Sequence, residues 1–214
     1  MIRFVPFRTV CISSEDGAHA QEAAQLAAGS LELRLIDEEI VTRAAVDAGV
    51  DRELVADVEQ RKSKLIRLLE GLGSAGAGAG YIPAETVVSD VPPSDDLRGL
   101  IRSVIEETAT AGDVMIVSHA ASLALAAHDE VLRIFVTASP QTRRERMAAA
   151  LGVDDAEAAR VVKRSDAGRA DYIKRFYGID SEQPIHYDLV INTDKLSTEN
   201  AAQLIVAAAE NSAA

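Results

Sequence analysis

Residues 9–30 read TVCISSEDGAHAQEAAQLAAGS and set the pattern that the rest of the chain repeats. The stretch predicts a short buried strand, a polar loop with one glycine, and an alanine-rich helix. In a chain of alternating strands and helices, the N–H groups and the dipole at the start of the first helix favour an anion such as phosphate. The full phosphate-loop pattern G-x-x-x-x-G-K-[ST] is absent, because Glu22 stands five residues after Gly17 and no lysine follows.

The composition predicts one compact domain with an aliphatic core. Of the 214 residues, 48% are hydrophobic but only 4% are aromatic, so aliphatic side chains must fill the interior. The net charge of −12 argues against a nucleic-acid partner, which needs a basic face. No apolar run reaches the roughly 18 residues of a membrane span and no secretory signal is visible, so we expect a cytoplasmic protein without membrane contact.

Four further apolar runs predict the other strands of a sheet. They lie at residues 31–36, 114–117, 132–136 and 188–192. Helical patterns separate them, which predicts an α/β sandwich: a five-stranded parallel sheet between two layers of helices, with right-handed crossovers. Ligands of such sheets bind at the carboxyl ends of the strands. The residues that follow each strand are therefore the candidates for function.

Capping and stop signals predict where the helices begin and end. Gly29 is expected to end the first helix, and Gly168 to break the helix predicted over 155–177. Ser139, followed by a proline, and Asp154 are expected to cap two helices. The glycine-rich stretch 71–80 follows a helix rather than a strand, so it is interpreted as a mobile linker and not as a phosphate loop.

A basic window lies in the second half of the chain. Residues 143–175 contain nine basic and six acidic residues, a balance of +3 in a chain of −12. Converging arginine forks suit phosphate oxygens and neutralise charge during phosphoryl transfer. The alternative is a solvated helix with local ion pairs, Glu157 with Arg160 and Asp166 with Arg169.

Other chemistries fit the sequence poorly. The four histidines show no metal-ligand spacing, so no structural zinc and no side-chain metal cluster are expected. Ser13 and Ser14 lack the flanking glycines of a nucleophile elbow. Cys11 lies in an apolar strand and is expected to be a small buried hydrophobe. His119, after the third strand, is either a structural histidine or a base.

Several stretches resemble the cytidylate-kinase-like family, a branch of the P-loop nucleoside monophosphate kinases. They are LRIFVTASPQTRRERM at 132–147, DAGRADY at 166–172, FYG at 176–178 and YDLVINTDKLSTE at 187–199. Glu15, Gly17 and residues 22–24 are similar to the family's phosphate-loop region, and Asp37 with Glu39 to its acidic pair after the second strand. The resemblance covers about 9–209. It implies a single domain of the adenylate kinase type over 1–214, with an acceptor-side helical region at about 38–93 and a short lid at about 154–178.

The resemblance also implies an activity and its residues. The family transfers the γ-phosphoryl group of ATP to a pyrimidine monophosphate such as CMP, with Mg²⁺. Arg164, Asp166 and Arg169 would then be catalytic lid residues that close on the phosphates, and Arg143 or Arg144 would lie on the donor side. The implied phosphate loop comprises Ser14, Gly17, Ala18, His19, Ala20, Gln21 and Glu22. The implied acceptor side comprises Asp37, Glu39, Ser118 and His119.

The loop departs from the family pattern, which usually reads like S-R-E-Y-G-S-G-G-R. Two of its glycines are replaced by His19 and Ala20, and its basic residue by Gln21. Side chains at these positions obstruct a close phosphate wrap, and a lost cation costs several kcal/mol of transition-state stabilisation. Two hypotheses follow: a kinase that uses ATP and Mg²⁺ with an atypical loop, or a catalytically inactive pseudokinase that binds or scaffolds a protein partner.

Overall fold

The fold is known from a computed structural model that describes residues 7–37, 94–118 and 120–210. The strands are β1 (Thr9–Ser14), β2 (Arg34–Ile36), β3 (Val114–Val117), β4 (Val131–Thr137) and β5 (Leu189–Asn192). The helices are α1 (Ala20–Leu31), α2 (Ser94–Ala111), α3 (Ala121–Ala124), α4 (Pro140–Leu151), α5 (Asp155–Tyr177) and α6 (Thr198–Glu210), with a 3₁₀ turn at Pro184–His186. The acceptor-side helices predicted within 38–93 and the stretch 71–80 lie outside the described residues.

The strands form one parallel sheet in the order β2-β3-β1-β4-β5. Each neighbouring pair is parallel, with Cys11 opposite both Ile116 of β3 and Arg133 of β4. This confirms the predicted five-stranded parallel sheet and the α/β class. The central position of β1 places the loop that follows it between the carboxyl ends of β3 and β4.

Alternate side chains of β1 enter two different cores, one on each face of the sheet. Val10 and Ile12 pack into a core shared with α1 and α6, whereas Cys11 packs into a core shared with α2 and the segment around Leu125. Cys11 is fully buried, and burial raises the pKa of its thiol well above the ordinary value. The cysteine is thus the small buried hydrophobe that the sequence predicts.

The first helix runs further than its glycine signal predicts. Gly29 lies inside α1, which continues to Leu31, and Glu32 takes the left-handed conformation that ends it (φ 56°). The prediction that Gly29 ends the helix is wrong because Leu31 is only 5% exposed and belongs to the core. Burying a leucine side chain outweighs the roughly 1 kcal/mol that glycine costs inside a helix. Strand β2 consequently begins at Arg34, not at residue 31.

Helix α5 is continuous through Gly168, so the predicted break is also wrong. Val162, Tyr172 and Ile173 are buried on both sides of the glycine and hold the two halves in one helix. The predicted caps are correct: the Ser139 side chain accepts from the N–H of Thr142, and the Asp154 carboxylate accepts from the N–H of Glu157. None of the described helices combines the length and the hydropathy that a bilayer crossing requires.

Candidate functional site

The loop between β1 and α1 has the backbone of an anion-binding nest. Gly17 and His19 both lie in the left-handed region, with φ of 81° and 58°, and Ala18 between them does not. Alternation of hand along successive residues makes neighbouring N–H groups converge. Gly17 is required here for a second reason, because a Cβ on it would lie 2.8 Å from the carbonyl oxygen of Arg143.

Every backbone carbonyl from Ser14 to His19 accepts a hydrogen bond from the protein. Three arginines and a threonine supply four of these bonds: Arg169 Nη1 to Ser14 (3.0 Å), Arg143 Nε to Asp16 (2.7 Å), Arg146 Nη1 to Gly17 (3.1 Å) and Thr193 Oγ1 to Ala18 (2.9 Å). The remaining two carbonyls accept from backbone N–H groups further along the chain, Glu15 from Ala18 and His19 from Ala23. The loop is therefore held by its carbonyls.

The N–H groups of the same loop are used much less. Those of Glu15 and Ala18 donate to backbone carbonyls, but no described residue accepts from the N–H groups of Gly17 and His19. The first N–H groups of α1 likewise have no acceptor within the helix. A loop with satisfied carbonyls and unused N–H groups at a helix start is arranged to receive an anion.

Arg143 is the most buried charged group of the site, at 1% exposure. Besides its bond to the Asp16 carbonyl, its guanidinium forms a fork with both oxygens of Asp166, one at 3.2 Å from Nη1. Its Nη1 also lies 3.3 Å from Oε1 of Glu15. The Thr137 hydroxyl at the end of β4 donates to the other Glu15 oxygen. The loop carboxylate at Glu15 is thus compensated by Arg143 and Thr137.

Arg169 is held in a second fork on the same side of the loop. Its Nε and Nη2 donate to Glu182 at 2.6 and 2.7 Å, and its guanidinium lies over the Phe135 ring at 5.2 Å. Burial opposes charge on this arginine, but the bonds with Glu182 outweigh that effect and hold its pKa above the ordinary value. The Tyr187 hydroxyl also donates to Glu182. Burial is the larger cause that raises the pKa of Tyr187, and the Glu182 carboxylate raises it further.

The remaining predicted site residues divide into those near the loop and those away from it. Gln21 Nε2 donates to Asp37 at 2.8 Å, and His19 Nδ1 lies 3.4 Å from Glu22. Ala20 is buried at the start of α1, and Ser118 follows β3 with its N–H on the carbonyl of Ile12. Arg164 is exposed on α5, and Arg144 Nε pairs with Asp155 at 2.7 Å, so of the two arginines predicted on the donor side only Arg143 contacts the loop. Glu39 and His119 lie outside the described residues.

The local ion-pair prediction is correct for one pair of residues. Glu157 and Arg160 are paired at 2.7 Å. Asp166 pairs with Arg143, and Arg169 pairs with Glu182. These longer-range pairs bring α4, α5 and the loop together, which spacing along one helix does not predict.

Sequence reasoning missed several residues that shape the loop. They are Thr137, Arg146, Ser165 and Glu182. Thr137 could have been found as a site residue, since it stands at the carboxyl end of β4, and Thr193 after β5 is among the candidates that follow a predicted strand. Arg146 donates from Nη2 to the Thr193 carbonyl at 2.7 Å as well as to the loop. No motif marks Ser165, whose partner Asp16 lies 149 residues away, or Glu182, whose partner Arg169 lies 13 residues away on α5.

The fold is that of α/β proteins in which a loop after the central strand of a parallel sheet leads into the first helix. Among solved structures, an uncharacterized protein from Eubacterium ventriosum matches with a TM-score of 0.66 at 16% identity, over 95% of this chain and 99% of that one. Shikimate kinase from Bacteroides thetaiotaomicron matches with a TM-score of 0.51 at 15% identity, over 92% of this chain and 95% of that one. At these identities the likeness shows the fold alone, which is of the P-loop kinase type.

The family model described as "Cytidylate kinase-like family" matches residues 9–195, and the chain belongs to that family. The cytidylate kinase of Pyrobaculum aerophilum is 32% identical over 110 residues, 51% of this chain and 59% of that protein. The cytidylate kinase of Methanopyrus kandleri is 30% identical over 110 residues, 48% of this chain and 57% of that protein. The chain therefore spans little more than half the length of these curated relatives.

Proposed function

We propose that the protein binds ATP with Mg²⁺ at the 14–22 loop and transfers its γ-phosphoryl group to a pyrimidine monophosphate such as CMP. The observation that carries the proposal is the loop whose carbonyls from Ser14 to His19 are all bonded to protein groups. A loop that had lost its ligand could turn its N–H groups onto side chains of its own. His19 and Gln21 contact Glu22 and Asp37 instead, so the replaced glycines leave the nest open.

In the proposed complex the triphosphate lies against the N–H groups of the loop and of the first turn of α1. The helix dipole and these donors stabilise charge on the bridging and terminal oxygens. The basic groups nearest the loop are Arg143, Arg146 and Arg169, each bonded to one of its carbonyls. Through these bonds they hold the loop in the shape that presents its N–H groups to the triphosphate.

Mg²⁺ fits the site through a single carboxylate. The described residues hold no group of three metal-ligating side chains, but Mg²⁺ in phosphotransferases takes one or two carboxylates and completes its shell with phosphate oxygens and water. Asp16 is suited to that role, since one of its oxygens accepts from Ser165 at 2.6 Å and the other has no described partner. When bound, the ion neutralises charge on the transferred phosphoryl group.

The acceptor is proposed to bind beside the loop, over β2 and β3. Asp37 follows β2 and Ser118 follows β3, and these two strands lie on one side of β1 in the sheet. The Gln21–Asp37 hydrogen bond brings this side to the first turn of α1. Family membership supports a pyrimidine monophosphate as the acceptor.

A second candidate is the catalytically inactive form, a pseudokinase that binds or scaffolds a protein partner. The charges around the loop favour this candidate, because one basic residue is replaced and two arginines are paired with carboxylates. The position that the family fills with a basic residue holds the neutral Gln21, and the forks of Arg143 and Arg169 face carboxylates of Asp166 and Glu182. A site whose arginines already hold anions of the protein has less free charge with which to stabilise a transferring phosphoryl group.

Calorimetry and a turnover assay separate the two candidates. ATP is titrated with and without Mg²⁺, CMP is titrated separately, and CDP formation is then measured with both substrates present. The kinase proposal expects binding of the Mg²⁺ complex at submillimolar concentration and formation of CDP. Nucleotide binding without CDP would favour the inactive form, and absence of binding at millimolar nucleotide would overturn the kinase proposal.

A further inference from the structure

We infer that Arg143 is a positioning residue, which holds the phosphate loop in its open shape and couples it to helix α5 through Asp166. Only the predicted effect on nucleotide binding rests on the proposed function. The holding of the loop rests on the contacts of the free protein.

The first step is the burial of Arg143. An arginine side chain at 1% exposure must be compensated by partners, or it would cost several kcal/mol. Its partners come from two segments that are far apart in the chain: Asp16 and Glu15 in the loop, and Asp166 on α5. Because the guanidinium binds all three at once, the loop cannot leave its position without depriving a buried arginine of its partners at Asp16 and Glu15.

The second step is that α5 reaches the loop through one turn of its surface. Ser165 Oγ lies 2.6 Å from Oδ2 of Asp16, Asp166 bonds to Arg143, and Arg169 Nη1 donates to the Ser14 carbonyl at 3.0 Å. Helix residues three and four apart are neighbours on the helix surface, so Arg169 lies next to both Asp166 and Ser165. A shift of α5 would break all three contacts together, so the loop shape and the position of α5 are linked.

The third step concerns the strain that these contacts offset. His19 keeps a left-handed backbone (φ 58°), which costs a residue with a side chain about 1–2 kcal/mol. Its N-cap position has no side-chain hydrogen bond that would offset the cost locally. The bonds from α4 and α5 therefore supply the stabilisation that keeps this part of the loop in its nest conformation.

The test measures hydrogen exchange of the peptide covering residues 14–22 in the free protein. Arg143→Lys keeps the charge but loses the fork, Asp166→Asn keeps the shape but loses the charge, and Ser165→Ala removes one bond while favouring the helix. We expect exchange in this peptide to be about tenfold faster in Arg143→Lys and Asp166→Asn, and a few-fold faster in Ser165→Ala. The matched control is Asp155→Asn. Asp155 is also a carboxylate of α5 that pairs with an arginine of α4, at 2.7 Å, but this pair lies away from the loop.

Nucleotide affinities add a readout that loss of packing alone would not give. A positioning role for the donor loop expects the Kd of Mg²⁺–ATP to rise about tenfold in Arg143→Lys while the Kd of CMP changes less than twofold. Equal weakening of both ligands would assign Arg143 a general structural role and overturn the inference.

Three further outcomes are decisive. Unchanged exchange in Asp166→Asn and Ser165→Ala, both folded by circular dichroism, would overturn the inference even if Arg143→Lys fails to fold. The inference would also be overturned if Asp155→Asn accelerated exchange at 14–22 as much as Asp166→Asn does. Faster exchange confined to the loop variants, in a protein that binds no nucleotide, would support the positioning role and refute the proposed function.

Discussion

Gly17 lies against the backbone of helix α4. Its φ of 81° favours glycine, and an added Cβ would lie 2.8 Å from the backbone oxygen of Arg143. We expect Gly17→Ala to lower the free energy of unfolding by about 3 kcal/mol, the sum of left-handed strain and a backbone clash. Chemical denaturation at pH 7 measures the change.

Two other glycines serve as controls for Gly17. Gly152 has a φ of 65° with no atom within 4 Å of an added Cβ, so Gly152→Ala isolates the backbone term and should cost about 1 kcal/mol. Gly29 lies inside α1 with open space around it, so Gly29→Ala should stabilise the protein by about 0.5–1 kcal/mol. Equal losses in Gly17→Ala and Gly152→Ala would show that the contact with Arg143 is easily relieved.

Gln21 is the loop-side residue at which a charge has the clearest expected effect. It lies in the first turn of α1, is exposed, and bonds to Asp37. If the proposed function holds, Gln21→Arg restores a cation beside the phosphates, and we expect the Kd of Mg²⁺–ATP to fall about five- to tenfold. Gln25→Arg is the control, because it adds the same charge to an exposed position one turn further along. An equal gain in both variants would assign the effect to net charge and not to a phosphate contact.

The carboxylate of Asp188, directly before β5, adds bonds to Arg133 of β4 beside the backbone pairing of the two strands. Asp188 accepts the N–H of Arg133 at 2.8 Å and pairs with its guanidinium at 2.8 and 3.1 Å. Partial burial opposes ionisation, but the side-chain and backbone bonds from Arg133 outweigh it and hold the pKa of Asp188 below its ordinary value. The ionised carboxylate therefore stabilises the fold above the unfolded-state pKa, and this stabilisation is lost as the pH falls through the folded-state pKa.

From this sign we expect Asp188→Asn to lower the free energy of unfolding at pH 7 by about 1 kcal/mol, after allowance for solvent screening. The difference from the wild type should close as the pH falls below about 4. Urea unfolding at a series of pH values measures it. A gap that stays constant down to pH 3 would mean that the ionised form of Asp188 has no special role in the fold.

At the scale of elements, the sequence correctly predicted those features that interactions between neighbouring residues determine. The strand at 114–117, the helix at 155–177 and the caps at Ser139 and Asp154 agree with the structure, because apolar periodicity and caps act within a few residues. The errors at Gly29 and Gly168 arose where packing of Leu31 or of Tyr172 and Ile173 overrode a glycine.

The position of the candidate site in the fold could be predicted from the sequence, but the contacts between its residues could not. Ligand sites follow strand ends in parallel sheets, which located the loop, Asp37 and Ser118. The Arg143 bonds to Asp16 and Asp166 span 127 and 23 residues of the chain. Such bonds are set by how α4 and α5 dock on the sheet, and no short motif encodes that docking.

At the scale of the whole molecule, the loop joins two parts of the fold. On one side, β1 and α1 belong to the main core with α6; on the other, α4 and α5 hold the loop carbonyls. A ligand bound to the loop N–H groups therefore restrains both parts at once. Because it binds the folded state and not the unfolded chain, its binding free energy adds to the stability of the whole domain.

If the proposed function holds, Mg²⁺–ATP at 100 times its Kd should raise the free energy of unfolding by about 2.7 kcal/mol. For a domain of 214 residues this corresponds to a rise in Tm of about 5–11 °C. Asp166→Asn at the same nucleotide concentration should gain only about 1.4 kcal/mol, because a tenfold weaker Kd leaves the ligand at ten times its new Kd. Thermal unfolding over a nucleotide series measures both gains, with Asp155→Asn as the variant expected to follow the wild type. Equal gains in Asp166→Asn and in the wild type would show that nucleotide binding does not depend on the link between the loop and α5.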